Sequence, residues 1–367
     1  MTFKWHKKAC FWWLLIAYLY PFNASANPVV FVHDSKRNQD TSLIQEQRLL
    51  NIYSAVDLDA FEPLLRAFVA QSPNTTLAYY DVNTLELYHK VIDESKRPKA
   101  SLIISSAMDL QLKLVNEGLA KTYQSSMTQA LPDMAKWRNQ IFAFSLEPVV
   151  MLVNQNHFPG TDLPKNRLDL LKTMRHYSED FHGKIGTYDI RTSGVGYLLA
   201  SQDARQADAT WGRLIEAFGS HQVQTYCCTS AMIDDVANGD LLLGYNLLGS
   251  YANKRALGDP RLTMIMPSDY TLLLMRSALI PKFAPNSEDA GRFIDFLLSP
   301  AGQKLMLSEN LLFPIDSASQ AININPKRSH PTRIIELDQQ LLVGRDHAKQ
   351  SRFIHSWESA LELSELE

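Results

Sequence analysis

From Leu50 onward, short apolar runs of strand length alternate with amphipathic stretches of helical spacing, and no other feature constrains the fold as strongly. Residues 50–54, 76–80 and 101–104 read as strands. After the first, residues 57–70 carry Phe61, Leu64, Leu65 and Phe68 at helical intervals, with Pro63 blurring the start because it lacks a backbone donor. Residues 83–95 place Leu85, Tyr88, Val91 and Ile92 on one helical face, and 108–117 form a third helix. Such alternation predicts a parallel sheet covered by helices, an α/β fold.

A second set follows. Residues 184–188 and 241–245 read as strands, and 166–177, 194–202, 209–218 and 230–238 as helices. The run 148–154 carries the chain out of a first lobe and the strand 270–280 brings it back, with helices at 287–298 and 300–309. Beyond residue 325 the tail is polar, with a last helix near 351–363. The expected division is residues 27–148 with 268–367 in one lobe and 149–267 in the other. Two crossings predict a hinged pair with a cleft, and ligands of open α/β sheets lie beyond the carboxyl ends of strands.

The first 26 residues read as a secretory leader: Lys4, Lys7 and Lys8, then the apolar run 9–22, then Ala24-Ser25-Ala26. The run is shorter than the roughly 20 residues that cross a bilayer, so the leader is expected to be cleaved and the protein to act outside the cytoplasm. Three of the 36 Lys+Arg lie in it, which leaves 33 against 39 Asp+Glu, a formal net charge of −6. This balance argues against nucleic-acid binding, which needs a basic surface. Outside the leader only the adjacent Cys227 and Cys228 remain. They form either a strained vicinal disulfide or two free, buried thiols, and no framework of bridges. There is no zinc-ligand spacing, nucleophile elbow or Walker loop. The expectation is a protein without catalytic residues, metal or cofactor, acting as a monomer.

Four strand-to-helix junctions are rich in hydroxyls and small residues. Ser54 to Asp57 follow the first strand and Ser105 to Asp109 the third; Arg191-Thr192-Ser193-Gly194 and Cys228-Thr229-Ser230 belong to the second set. Helix capping alone explains any one of them. Distributed over two facing lobes, they suit an anion held by hydroxyls and helix-start N–H groups, with Arg191 as a forked cation. The candidate ligand residues are Ser54, Asp57, Ser105, Ser106, Arg191, Thr192, Ser193, Gly194, Thr229 and Ser230, with Tyr245 and Asn246 as the opposite wall.

The stretches 51–57, 105–118 and 244–252 resemble the periplasmic substrate-binding proteins of ferric-iron-type ABC transporters, nearest the branch with the phosphoglycerate transport regulatory protein and sugar-phosphate binders. The resemblance covers most of residues 50–313. It implies a two-lobed type II periplasmic binding fold that closes on a small solute, a periplasmic location, and a membrane partner that is an ABC permease or a sensor kinase. Iron-binding members use neighbouring tyrosines, often an adjacent pair; here Tyr245 is followed by Asn246, and Tyr251 lies six positions on. That departure favours a phosphorylated or carboxylated organic anion. The alternative is ferric iron on Tyr245, Tyr251 and a carboxylate, whereas the adjacent Tyr79 and Tyr80 read as sheet packing.

Overall fold

A computed structural model of the protein describes residues 27–33, 48–159, 162–309, 311–315 and 331–362. The expected leader, residues 1–26, lies outside them. The elements run β1 (Val29–Phe31), β2 (Leu49–Ser54), α1 (Leu58–Gln71), β3 (Thr76–Asp81), α2 (Thr84–Asp93), β4 (Leu102–Ser105), α3 (Met108–Asn116), α4 (Ser126–Ala130), β5 (Lys136–Trp137) and β6 (Ile141–Asn154). They continue with α5 (Arg167–His176), α6 (Ser178–Phe181), β7 (Ile185–Tyr188), α7 (Gly194–Gln206), α8 (Asp208–Ser220), β8 (Gln224–Tyr226), α9 (Thr229–Asn238), β9 (Leu243–Leu248), α10 (Gly249–Gly258) and β10 (Leu262–Ile265). The last are β11 (Thr271–Leu279), α11 (Ser287–Leu298), α12 (Pro300–Ser308), β12 (Thr332–Ile334) and α13 (His347–Leu361).

The strands order as β1-β3-β2-β4-β11-β6-β9-β7-β8. On one side β2 pairs in parallel with β3 and β4; on the other β7 pairs in parallel with β8 and β9. Between these parallel halves lie β6 and β11, antiparallel to each other. The fold is the expected two-lobed α/β arrangement, and β6 is the strand that joins the lobes. Its residues up to Pro148 pair with β11, and from Val149 onward they pair with β9. All 14 of its residues are buried. A strand buried on both faces shows no polar alternation, which is why only its second half is legible as an apolar run.

Each parallel half has helices over its apolar faces. Phe61 and Phe68 of α1 pack with Phe293 and Phe296 of α11. In the second lobe, Leu170, Phe181, Trp211, Leu214 and Phe218 form a separate core. Pro63 lies inside α1 and costs it one backbone bond. Burial of Phe61, Leu64, Leu65 and Phe68 holds the helix across that gap.

The tail crosses the molecule. β12 pairs with β11, and the 3-10 segment Gln339–Arg345 then leads into α13. Although the division above groups 268–367 with the first lobe, α13 packs on α8, and Trp357 and Leu361 are buried in the second core. A Cβ on Gly219 of α8 would lie 1.9 Å from the carbonyl oxygen of Ala360, so glycine there permits the close approach. On the way, Arg345 Nε donates to Asp109 Oδ2 of α3 at 2.7 Å, while its guanidinium lies 4.2 Å from the Tyr197 ring centre of α7.

Candidate functional site

The carboxyl ends of β2, β3 and β4 face those of β7, β8 and β9, and a cleft of about 530 Å³ lies between them. The loops after these strands wall it. Asp57 and Asp59 follow β2, Asp81 and Asn83 end β3, and Ser106 follows β4. From the second lobe come Tyr188, Thr229, Ser230 and Tyr251. The lobes touch across it: Asp57 N donates to Tyr251 Oη (3.0 Å), and Val195 N to Thr84 Oγ1 (3.1 Å). Asn83 Nδ2 donates to the Cys227 carbonyl (3.4 Å).

Two helix starts at this cleft, those of α3 and α9, have no side-chain cap on their own N-cap residues, Ala107 and Cys228. Ser106, Thr229 and Ser230 lie beside them. First-turn N–H groups carry partial positive charge and take anionic oxygens readily. Carboxylates stand beside the α3 start, on the wall opposite α9. Burial first, and then the charge of Asp57, push the Asp81 carboxyl up to about 6, partly offset by the bond from Leu58 N. The residue is nevertheless exposed toward the cleft. The site thus offers hydroxyl and N–H donors together with carboxylate acceptors. Cys227 and Cys228 are both free and both line the cleft. Burial, and next the bond to Cys227, push the Cys228 thiol up to about 12, which makes it a poor nucleophile.

Of the twelve residues expected from the sequence, Asp57, Ser106, Thr229 and Ser230 line this cleft. Ser54 and Ser105 sit behind it, their Oγ atoms accepting from Val56 N and Ala107 N at 3.1 Å and shaping the two turns. Ser193 caps α7 by accepting from Gly196 N. Gly194 packs against Leu110 and Thr84 where the lobes meet, and Thr192 is exposed on the turn before α7. Arg191 is turned away from the cleft: it pairs with Asp189 at 2.7 Å and with Glu358 of α13 at 3.7 Å.

Tyr245 and Asn246 lie within β9, because that strand runs on to Leu248 instead of ending at residue 245. A slip in register against β6 occurs at this point, with Asn246 in the left-handed region (φ 64°). Both side chains point to a buried carboxylate. Asp203 accepts from Tyr245 Oη (2.8 Å), Asn246 Nδ2 (3.0 Å), Tyr270 Oη (2.9 Å) and Arg167 Nη2 (2.9 Å). Tyr245 and Tyr251 are therefore in different surroundings, the second core and the cleft. Among the described residues no group of three or more His, Cys, Asp or Glu could hold a metal ion.

Sequence reasoning missed Asp81, Asn83 and Tyr188 as cleft residues, and named Tyr251 only as a ligand in the iron alternative. The acidic and amide residues at the end of a strand, Asp81-Val82-Asn83, were a signal of the same kind as the junctions it did use. Tyr188 gave none, since it ends an apolar strand and reads as core.

A two-lobed α/β protein with a polar cleft at the carboxyl ends of both sets of strands belongs to the class of solute-binding proteins. Residues 97–338 match the bacterial extracellular solute-binding protein family, and the chain belongs to it. That is a family of solute receptors and not of enzymes. The chain is 31% identical to the substrate-binding protein of an ABC transporter from Agrobacterium tumefaciens, with a TM-score of 0.84 over 91% of this chain and 98% of that one. It is similar in fold, at 19% identity and a TM-score of 0.71, to the periplasmic binding protein AfuA of Actinobacillus pleuropneumoniae, solved with exogenous fructose-6-phosphate; the match covers 86% and 99% of the two chains. A probable ABC transporter periplasmic-binding protein of Sinorhizobium fredii is 22% identical over 219 residues, 58% of this chain and 59% of that relative. Among the described residues no helix is long and apolar enough to cross a membrane.

Proposed function

We propose that this protein is the periplasmic receptor of an ABC importer and captures a small hydroxylated organic anion, phosphorylated or carboxylated. The lobes, residues 27–148 with 268–367 and residues 149–267, the last helix α13 being seated on the second, close on the ligand about β6 and β11. The observation that carries the reading is the facing of two helix starts whose N-cap residues give no capping side chain: α3 with Ser106, Asp57, Asp59 and Asp81 on one wall, and α9 with Thr229 and Ser230 on the other. The helix starts take the anionic group, and the carboxylates accept from the ligand's hydroxyls. Carboxylates also disfavour a bare anion, so a polyol phosphate or sugar acid fits better than inorganic phosphate. The fructose-6-phosphate in the Actinobacillus protein is a ligand of this chemistry.

Closure is driven only by the ligand's stronger binding to the closed form. The receptor then presents its cargo to a membrane permease. A thermal-shift series on the purified protein tests the reading with fructose-6-phosphate, 3-phosphoglycerate, di- and tricarboxylates, inorganic phosphate and ferric citrate. A ligand at a hundred times its Kd adds about 2.7 kcal/mol. Stabilisation by the hydroxylated anions is expected. Stabilisation by ferric citrate alone, with a visible phenolate-to-iron band, would replace the reading with iron binding.

A further inference from the structure

Behind the cleft wall lies a cation that the pairs described so far do not use. Arg276, on the crossing strand β11, is completely buried, and neither Nη1 nor Nη2 has a hydrogen-bond partner. The carboxylate paired with it is Glu147 on β6, which reaches only Nε, at 3.5 Å. Glu147 is itself engaged by the Ser250 N–H at 3.2 Å. The register between β6 and β11 slips by one residue beside Arg276, and such irregularities re-aim side chains next to functional sites.

The guanidinium faces the Tyr251 ring, 5.0 Å from its centre. Asp57, Tyr188 and Tyr251, all of which line the cleft, are within its electrostatic reach. A buried charge with open donors is costly unless something completes it. Here the ring that covers that charge, Tyr251, is itself a cleft-lining residue.

We infer that Arg276 is the charge receptor of the binding site: on closure its free Nη donors receive the ligand's phosphate or carboxylate, directly or through the Tyr251 hydroxyl. The inference rests on the anion reading above. It adds that the charge recognised is read from β11, one of the two strands about which the lobes close. Ligand charge and lobe closure are therefore coupled in one side chain. An uncharged polyol would enter the cleft without completing Arg276 and would favour closure less.

The test compares fructose-6-phosphate with fructose, and 3-phosphoglycerate with glycerol, by calorimetric titration of the wild type, of Arg276→Met combined with Glu147→Gln, and of Arg276→Lys. The double change removes both members of the buried pair, a replacement that buried ion pairs tolerate, and thermal unfolding checks that each variant is folded. The double variant should lose at least about thirtyfold in affinity for the phosphorylated probes, the effect of deleting a desolvated charge partner. Its discrimination against the uncharged probes should collapse, which a merely structural role would not produce. Arg276→Lys keeps the charge without the fork and should fall between. Folded variants with wild-type affinity and discrimination overturn the role of Arg276 and leave the anion reading standing. Failure of the wild type to bind either phosphorylated probe overturns both.

Discussion

Replacing Asp203 by alanine should destabilise the protein severely while leaving the cleft intact. Asp203 is 1% exposed and accepts from four donors drawn from α5, β9 and the start of β11. Its loss leaves Arg167 in the interior with Asp269 as its remaining carboxylate, at 3.0 Å and with a 28% exposed side chain. Breaking a buried ion pair costs about 3–5 kcal/mol; the surviving Asp269 argues for the lower end. The hydroxyls of Tyr245 and Tyr270 also lose their acceptor, at about 1 kcal/mol each. A total of about 4–6 kcal/mol would consume much of the stability of an ordinary domain. Tyr245→Phe removes only the hydroxyl that bridges Arg167 Nε (2.9 Å) to Asp203 and should cost about 1–2 kcal/mol. Urea unfolding of both variants gives the stabilities, and titration with fructose-6-phosphate gives the affinities. A cost below about 1 kcal/mol for Asp203→Ala would refute the reasoning. So would a tenfold affinity loss for Tyr245→Phe at unchanged stability, because it would return Tyr245 to the ligand site.

Three further outcomes are expected. The Asp81 carboxyl is raised to about 6, so the cleft gains a negative charge as pH rises through that value. Affinity for a carboxylate ligand such as glycerate should therefore fall between about pH 5 and 7, and Asp81→Asn should flatten the profile; a flat wild-type profile would contradict the assignment. A dithionitrobenzoate titration of the native protein at pH 8 should modify the exposed Cys227 quickly and Cys228 slowly, because a thiol held near 12 is ionised to only about one part in ten thousand there. Equal, rapid reaction of both would show that the Cys228 thiol is not shielded by its half-buried position. Gly219→Ala must push α13 off α8 at the Ala360 carbonyl, and a loss of about 1–3 kcal/mol should lower the thermal midpoint; an unchanged midpoint would mean that the helices do not pack closely there.

Sequence reading succeeded where local pattern and tertiary environment agree. The amphipathic spacing of Phe61, Leu64, Leu65 and Phe68 gave α1, and the junctions after β2, β4 and β8 hold Asp57, Ser106, Thr229 and Ser230, which line the cleft. It went astray at β9, where three more strand residues move the cleft-facing end from Tyr245 to Leu248–Tyr251. An apolar run does not reveal where a fully buried strand stops. It also chose among arginines by their polar neighbours and settled on Arg191, which pairs with Asp189 and Glu358. Arg276 stands alone among Leu272–Met275 and Ala278–Ile280, and Glu147 sits in a comparable apolar run. Opposite charges inside two such runs are a sign of a buried polar centre, but their pairing requires β6 and β11 to be neighbours, and nothing local in either run says so. The helix α10 and the strand β10 were missed as well.

The family match stops at residue 338, one position before the segment that leads through Arg345 into α13. A protein ended at residue 338 would lack Trp357 and Phe353, leaving the face of Trp211 and Gly219 on α8 bare. It would also lose the guanidinium wedged between Asp109 and Tyr197. Such a fragment could still contain every cleft residue and yet be sticky and loosely set between its two halves. Boundaries for expression, and the placement of tags or fluorophores that report closure, should therefore follow the packing of the last helix and not the limits of family similarity.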